Sequence, residues 1–322
     1  MVGSATRVDA AGRAVTLANG DVIHYDYLIY AVGSGSAEPG VPGAAEHAYP
    51  IASLEEVERL RPVIDATTSM RATAAITVVG AGPTGIEIAA ELAEQGRNVT
   101  VVCGGELGPY LHPRGRRAVA ERFDRLGVKV LDGPGSMVKA VTRDAVELSD
   151  GRSVTSDVTI WATGFGVPEL ARRSGLSTDA VGRLRTDETL TSVDDPRIVA
   201  AGDSAAPSDL PYRMSCQAAV QLGPQAAETV LSRIAGERPR PVDVGFAGQC
   251  ISLGRRAGIY QFAHKNDVAL GFHLGGRPGA SLKEFICKSI LWQLALEARR
   301  PGRLNLWAKD AKRHRLLQKV RA

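Results

Sequence analysis

Ile76-Thr77-Val78-Val79-Gly80-Ala81-Gly82-Pro83-Thr84-Gly85 is the stretch that decides how this chain folds. Its first four residues are β-branched and read as a buried strand. The segment that follows, Ile86-Glu87-Ile88-Ala89-Ala90-Glu91-Leu92, carries the period of a helix. Between strand and helix stands Gly-x-Gly-x-x-Gly. Gly80 permits the tight strand-to-helix turn, Gly82 lets the backbone approach a pyrophosphate, and Gly85 lets helix and strand pack closely. Phosphates held there would sit on a helix N-terminus, where free N–H groups and the macrodipole favour an anion. A bare glycine motif is a weak signal in a chain with 35 glycines. Here a second strand, Asn98-Val99-Thr100-Val101-Val102, follows about twenty residues on, as a βαβ unit requires. Gly80, Gly82, Pro83, Thr84 and Gly85 are therefore candidate dinucleotide-binding residues, and a Gly-rich αβ turn without ligand is the alternative.

Working outward, residues 71–158 alternate strand and helix before a hairpin around Ser149-Asp150-Gly151, which predicts a parallel sheet with crossover helices. A buried strand, Val158-Thr159-Ile160-Trp161-Ala162, then closes on Thr163-Gly164. An earlier segment echoes it: a hairpin at Asn19-Gly20, then Tyr27-Leu28-Ile29-Tyr30-Ala31 ending in Val32-Gly33. The two copies form an internal repeat of about 130 residues, too long for a solenoid and suited to two related nucleotide-binding domains. Ser53-Leu54-Glu55-Glu56 opens a helix with an N-cap and early acids. Ile198-Val199-Ala200-Ala201 is a short buried strand stopped by Gly202-Asp203, and a helix from about Ser215 to Ala235 follows. Beyond Pro239-Arg240-Pro241, residues 246–260 look strand-like, 265–274 read as a hairpin and 282–299 as a helix. The expected division is 1–70, 71–160, 161–240 and a separate C-terminal α+β element at 241–322.

At 322 residues the chain is long enough for two or three domains, and 44% hydrophobic with 5% aromatic residues describes an ordinary α/β protein rather than a disordered one. The net charge of +4 conceals an asymmetry. Residues 299–322 hold nine basic side chains against Asp310, a net +8, so the remainder stands at −4. With Trp292 and Trp307, this segment suits an amphipathic element on an anionic membrane surface, and a charged solvated tail is the alternative. No RNA motif or helix-turn-helix accompanies the charge, so a nucleic-acid partner is not expected. Cys103, Cys216, Cys250 and Cys287 include no C-x-x-C pair, and the six histidines lack metal-ligand spacing, so neither a dithiol centre nor a metal site is expected. A reducing cytoplasm fits these free thiols, with the inner face of the cell membrane as the place where the basic segment would act. Met1-Val2-Gly3-Ser4 leads into polar sequence and predicts no signal peptide.

The order of motifs (Tyr25-Asp26-x-Leu28-Ile29-x-Ala31-x-Gly33, the glycine turn, Trp161-Ala162-Thr163-Gly164, and the strand ending in Gly202-Asp203) resembles the FAD/NAD(P)-binding pyridine nucleotide-disulfide oxidoreductase superfamily from about Thr6 to Ala235. Without C-x-x-C, disulfide reductases are disfavoured. Cys216-Gln217-Ala218-Ala219-Val220-Gln221 looks like the Ala-Gln-x-Ala-x-Gln motif of type II NADH dehydrogenases, and apoptosis-inducing-factor-like NAD(P)H:quinone oxidoreductases are close relatives of that pattern. The resemblance implies an α/β fold of two Rossmann-like domains, with the NAD(P) domain inserted in the FAD domain. FAD and NAD(P)H would be the cofactors and a quinone or other small molecule the electron acceptor, and a homodimer is compatible with the family. It implies further that Asp203 and Gly202 meet the flavin ribityl chain and that Gly33, Thr163 and Gly164 pass close to a dinucleotide. Glu87 would lie near the nicotinamide, and Gln217 and Gln221, i and i+4 on one helix face, would border the flavin and the quinone.

Each of these three side chains has an ordinary alternative: a first-turn glutamate favouring the helix dipole, and a polar stripe on a solvated face. Two departures stand out. The match begins inside the flavin domain, so the unit whose own GxGxxG would cradle the FAD pyrophosphate is expected to be missing; a non-catalytic NAD(P)-binding protein is the alternative function. In addition, Cys103 stands where the family places the acid that holds the adenosine ribose.

Overall fold

The computed structural model describes residues 2–71, 73–300, 310 and 313–320. The chain divides into two compact units. The first comprises Met1–Gly35, Gly166–Phe246 and Ile290–Ala322, and the second comprises Ser36–Phe165 and Ala247–Ser289. In chain order the second unit interrupts the first, as an inserted dinucleotide domain requires.

A five-stranded sheet forms the centre of the second unit, in the order Ala48–Pro50, Val158–Trp161, Ala75–Val79, Asn98–Val102, Lys129–Leu131. Every pairing is parallel. Parallel strands buried on both faces read as continuous apolar runs. Ile76, Val78, Val99, Val101 and Ile160 are each at most 1% exposed, and they pack against Ile86, Ala89 and Ala90 of the helix Pro83–Glu94 and Val119 and Phe123 of the helix Pro113–Leu126. The expected Ser53 cap is present as a reciprocal capping box, with Glu56 N–H donating to Ser53 Oγ and Ser53 N–H to Glu56 Oε2.

Two boundaries differ from the expected division. Residues 36–70 belong with the glycine turn, because Ala48–Pro50 completes the sheet beside Val158–Trp161. Residues 247–289 belong there as well and are not a separate element. They form the antiparallel sheet Gly248–Ser252, Gly258–Ala263, Ala269–Gly275 and the start of the helix Gly276–Arg299. Acids spaced along the glycine helix hold this sheet. Arg255 Nε donates to Glu91 at 2.9 Å, Arg255 N–H donates to Glu94 at 2.5 Å, and Ser252 N–H donates to Glu87 at 3.0 Å. Residues 87, 91 and 94 recur at i, i+4 and i+7 and therefore share one helix face.

In the first unit, Leu28–Tyr30 pairs in parallel with Ile198–Ala200, and an antiparallel meander of Ala5–Asp9, Ala14–Leu17 and Val22–His24 precedes it. The helix Cys216–Ile234 begins at Ser215, whose Oγ accepts from Ala218 N–H. Its Ala218, Leu222 and Ala226 pack with Val199, Val242 and Phe246.

The basic end of the chain is not a uniform solvated tail. Arg313 is 8% exposed, forks onto Glu188 at 2.9 and 3.0 Å, donates to the carbonyls of Pro207 and Leu210, and lies 4.2 Å from the ring centroid of Tyr212. Leu317, one turn on, is also buried. Trp292 is 67% exposed, whereas Arg303, Trp307, Lys309, Lys312 and Arg321 lie outside the described residues. Among the described residues no helix is long and apolar enough to cross a membrane.

Candidate functional site

Gly80 adopts φ +114°, and a Cβ there would come within 2.7 Å of the Ala162 carbonyl oxygen. A Cβ on Gly85 would lie 1.9 Å from the Gly80 carbonyl oxygen. Both positions thus demand glycine, one for its backbone conformation and both for close approach. The space beside Gly82 is open, so backbone is exposed where a ligand would arrive. Gly82 is the N-cap of the helix and Pro83 its first residue. The first backbone donor to find an acceptor is Ile86 N–H, which bonds to Gly82 O at 3.0 Å. The Thr84 and Gly85 N–H groups stand in the turn ahead of it, where the unsatisfied donors of a helix N-terminus gather.

The Trp161-Ala162-Thr163-Gly164 strand end crosses this turn. Thr163 Cγ2 and Ala162 O both bound the space beside Gly80, and Gly164 takes φ +71°. A small recess beside them is lined by Ser36, Thr84, Trp161, Ala162 and Gly164. Trp161 is 8% exposed, and its indole Nε1–H has no hydrogen-bond partner. Its side chain packs with Val79, Val141, Val146 and Leu148, so this unpaired donor belongs to the apolar cluster behind the strand end. Free turn donors and a backbone left uncovered at Gly82 together fit the pyrophosphate of a dinucleotide.

Cys103 follows the strand Asn98–Val102, and its N–H donates to Leu131 O at 2.8 Å. Burial, with a smaller contribution from the Asp132 carboxylate, pushes its thiol up to about 12, so at ordinary pH the side chain is a neutral thiol and neither a nucleophile nor an anion. Asp132 supplies a carboxylate at the end of the adjacent strand, a residue the sequence reading passed over. Its signal was present: it closes the third strand of the same βαβ series.

Glu87 accepts from Ser252 N–H and forms an ion pair with Lys283. Lys283 was likewise missed, since 196 positions separate the partners.

In the first unit, Asp203 is held from two sides. Ser34 Oγ–H donates to its Oδ2 at 2.7 Å and Ser215 N–H to its Oδ1 at 3.0 Å. Gly33 and Gly202 take φ +68° and +63° at this corner. Asp203 therefore joins two strand ends to the start of the helix Cys216–Ile234 and is not itself an N-cap. Gln217 and Gln221 do lie one turn apart, both half-buried. The Gln221 amide does not reach an open edge as expected. Gln221 Nε2 donates to the Gln217 carbonyl at 2.8 Å and to Gly245 O at 3.1 Å, and its Oε1 accepts from Gly245 N–H at 3.3 Å. The backbone of residue 245 consumes that amide.

Taken together, the fold and the glycine turn define a two-domain protein of the dinucleotide-binding, Rossmann type. The sequence model of the pyridine nucleotide-disulphide oxidoreductase family matches residues 1–223, and the chain belongs to that family. An NADH dehydrogenase-like protein of Mycobacterium tuberculosis is 29% identical over 277 residues, covering 79% of this chain and 68% of the relative. A type II NADH:quinone oxidoreductase of the same species is 27% identical, covering 74% of this chain and 59% of its own length. Among solved structures, NDH2 of Plasmodium falciparum in complex with NADH superposes with a TM-score of 0.73 at 15% identity, covering 94% of this chain and 84% of that one. The sulfide:quinone oxidoreductase of Aquifex aeolicus gives 0.71 at 18%, covering 91% and 74%. At these identities the structures share the fold.

Proposed function

We propose that this protein is an FAD-dependent NAD(P)H oxidoreductase that passes electrons to a quinone-like acceptor. The observation that carries the reading is the glycine turn with its free backbone donors. Gly80, Gly82, Pro83, Thr84 and Gly85 would hold the pyrophosphate, with Thr163 and Gly164 against the same turn. Cys103 would stand at the adenosine ribose with Asp132 as the nearby carboxylate. Glu87, fixed by Lys283, would border the nicotinamide end.

The residues present fit one part of FAD. Gly33, Gly202 and Asp203 make a glycine-lined carboxylate corner suited to a ribityl chain, but the described residues of the first unit contain no second glycine turn for its pyrophosphate. When bound, FAD would accept a hydride from NAD(P)H and release electrons singly or in pairs. The chain's own contribution is to bind and orient. Gln217 remains the acceptor-side candidate on its helix, whereas Gln221 serves chiefly to tie the helix to residue 245. The exposed Trp292 and the exposed Arg299, Arg300 and Arg315 suit contact with an anionic membrane, with Arg313 removed from that set by its burial.

A second reading, a dinucleotide-binding protein without redox turnover, is favoured by the small parallel sheet of the first unit. One experiment separates the two. The purified protein is scanned between 350 and 500 nm, then titrated with NADH and mixed with a soluble quinone. A flavin band bleached by NADH and restored by quinone supports the oxidoreductase. A colourless protein that binds NADH supports the binding protein. Failure to bind NADH at all sinks both.

A further inference from the structure

A cleft of about 620 Å³ opens beside the far half of the glycine helix, walled by Glu91, by the turn that follows Gly248–Ser252, and by the first turns of the helix Gly276–Arg299. It meets the candidate site described above only at Lys283, the partner of Glu87, and neither the glycine turn nor the Trp161 strand end lines it. Four cations border it: Arg255, Arg256, Arg277 and Lys283. The bordering acids number two, Glu91 and Glu284, and both are occupied. Glu91 accepts from Arg255 at 2.9 Å and Glu284 from Lys288 at 2.6 Å. Lys283 is paired with Glu87. Arg256 and Arg277 have no ion pair or hydrogen bond among the described residues.

Two uncompensated guanidiniums thus face one cleft, with the hydroxyls of Ser252 and Ser281 beside them. The planar guanidinium fork matches phosphate oxygens two at a time, and hydrogen bonds between charged partners are roughly twice as strong as neutral ones. Of the side chains lining the cleft among the described residues, Ala280 is the sole aliphatic one, so the carbon surface it offers is largely the stems of charged and polar side chains. The two unpaired cations favour a compact anion with more than one negative charge over a neutral ligand.

We propose that this cleft is a second binding site, for a soluble anion carrying a phosphate or pyrophosphate group, and that Arg256 and Arg277 are its principal contacts. The inference stands independently of the dinucleotide reading. Cys287 lines the cleft and is exposed, whereas Cys216, also exposed, lies in the first unit; the two thiols give a local reporter and an internal control.

The full-length protein is alkylated under limiting reagent at increasing inorganic pyrophosphate and constant ionic strength, and the labelling rate of each cysteine is read by peptide mass spectrometry. The expected result is a saturable, several-fold slowing at Cys287 with Cys216 unchanged. In Arg256→Ala/Arg277→Ala the half-saturating pyrophosphate concentration should rise tenfold or more, the worth of losing a charged hydrogen bond. An unchanged rate at Cys103, half-buried in the second unit, verifies that this unit is folded in the variant. Equal slowing at both cysteines, absence of saturation, or the same half-saturation in the double variant would each overturn the proposal.

Discussion

Val158–Trp161 in the second unit lies between two parallel neighbours and is buried along its whole length. The similarly patterned Leu28–Tyr30 in the first unit pairs with Ile198–Ala200 alone among the described residues and leaves Ile29 41% exposed. One local pattern has therefore produced two different environments. In the second unit the strands are held by apolar burial on both faces, a distributed stabilisation that no single polar contact dominates. The first unit has a smaller sheet and relies on discrete polar anchors: Arg313 on Glu188, Asp203 between Ser34 and Ser215, and Gln221 on Gly245. The lesson is that repeated strand signals establish where strands form, while the number of partners each strand finds decides how the unit is stabilised.

That contrast can be broken most directly at Gly85. Its Cβ would collide with a backbone carbonyl that cannot swing aside, so Gly85→Ala should destabilise the second unit by about 3 kcal/mol or more and abolish NADH binding. Hydrogen exchange resolved by peptide should show faster opening of Ile76–Val102 with residues 198–234 unaffected. Uniform loss of protection in both units would mean that they do not open separately.

The reverse experiment acts on a polar anchor. Arg313→Ala leaves Glu188 without its partner at a site where both side chains are largely buried, at 10% and 16% exposure. A destabilisation of roughly 2 kcal/mol is expected, below the full buried-pair penalty because some solvent reaches the pair. Chemical denaturation should register it, with exchange quickening around Glu188 and Leu210 first. If Arg313→Ala is neutral, the first unit is held by its apolar cluster and the contrast drawn above fails.

The smallest effect concerns Cys103 and is absent at neutral pH. Its thiol rises from 9.0 to about 12 on folding, chiefly through burial. The folded state keeps its proton where the unfolded state loses it, so the contribution to stability is complete below pH 9 and declines as pH rises towards 12. By pH 10 the loss should be about 1 kcal/mol, allowing for the thiol's partial exposure. Unfolding free energies at pH 8, 9 and 10 should therefore fall less steeply for Cys103→Ser than for the natural chain. Parallel slopes would show that the thiol ionises as freely as in the unfolded chain.

Much of the architecture was legible because its signals are local. The strand–turn–helix at Ile76–Leu92, the Ser53 capping box and the Ser215 start of the helix Cys216–Ile234 all depend on residues within a few positions of one another. The assignment of 241–322 as a separate element followed from its change of character, which says nothing of what it packs against. Gln217 and Gln221 were placed on one helix face correctly by spacing, but spacing could not reveal that residue 245 would take the Gln221 amide.

What the amino-acid sequence determined by itself is the dinucleotide turn and the family it belongs to, because steric permission for glycine and the periods of strand and helix are written in adjacent residues. The tertiary structure alone decided the partners. It paired Glu87 with Lys283, buried Arg313 on Glu188, packed Trp161 against Val141, Val146 and Leu148 and gathered Arg256 and Arg277 at one cleft. The physical reason is that a side chain's charge and hydrogen-bonding capacity are intrinsic, whereas the acceptor it meets, the water it loses and the neighbours that compensate it depend on segments brought together from distant parts of the chain.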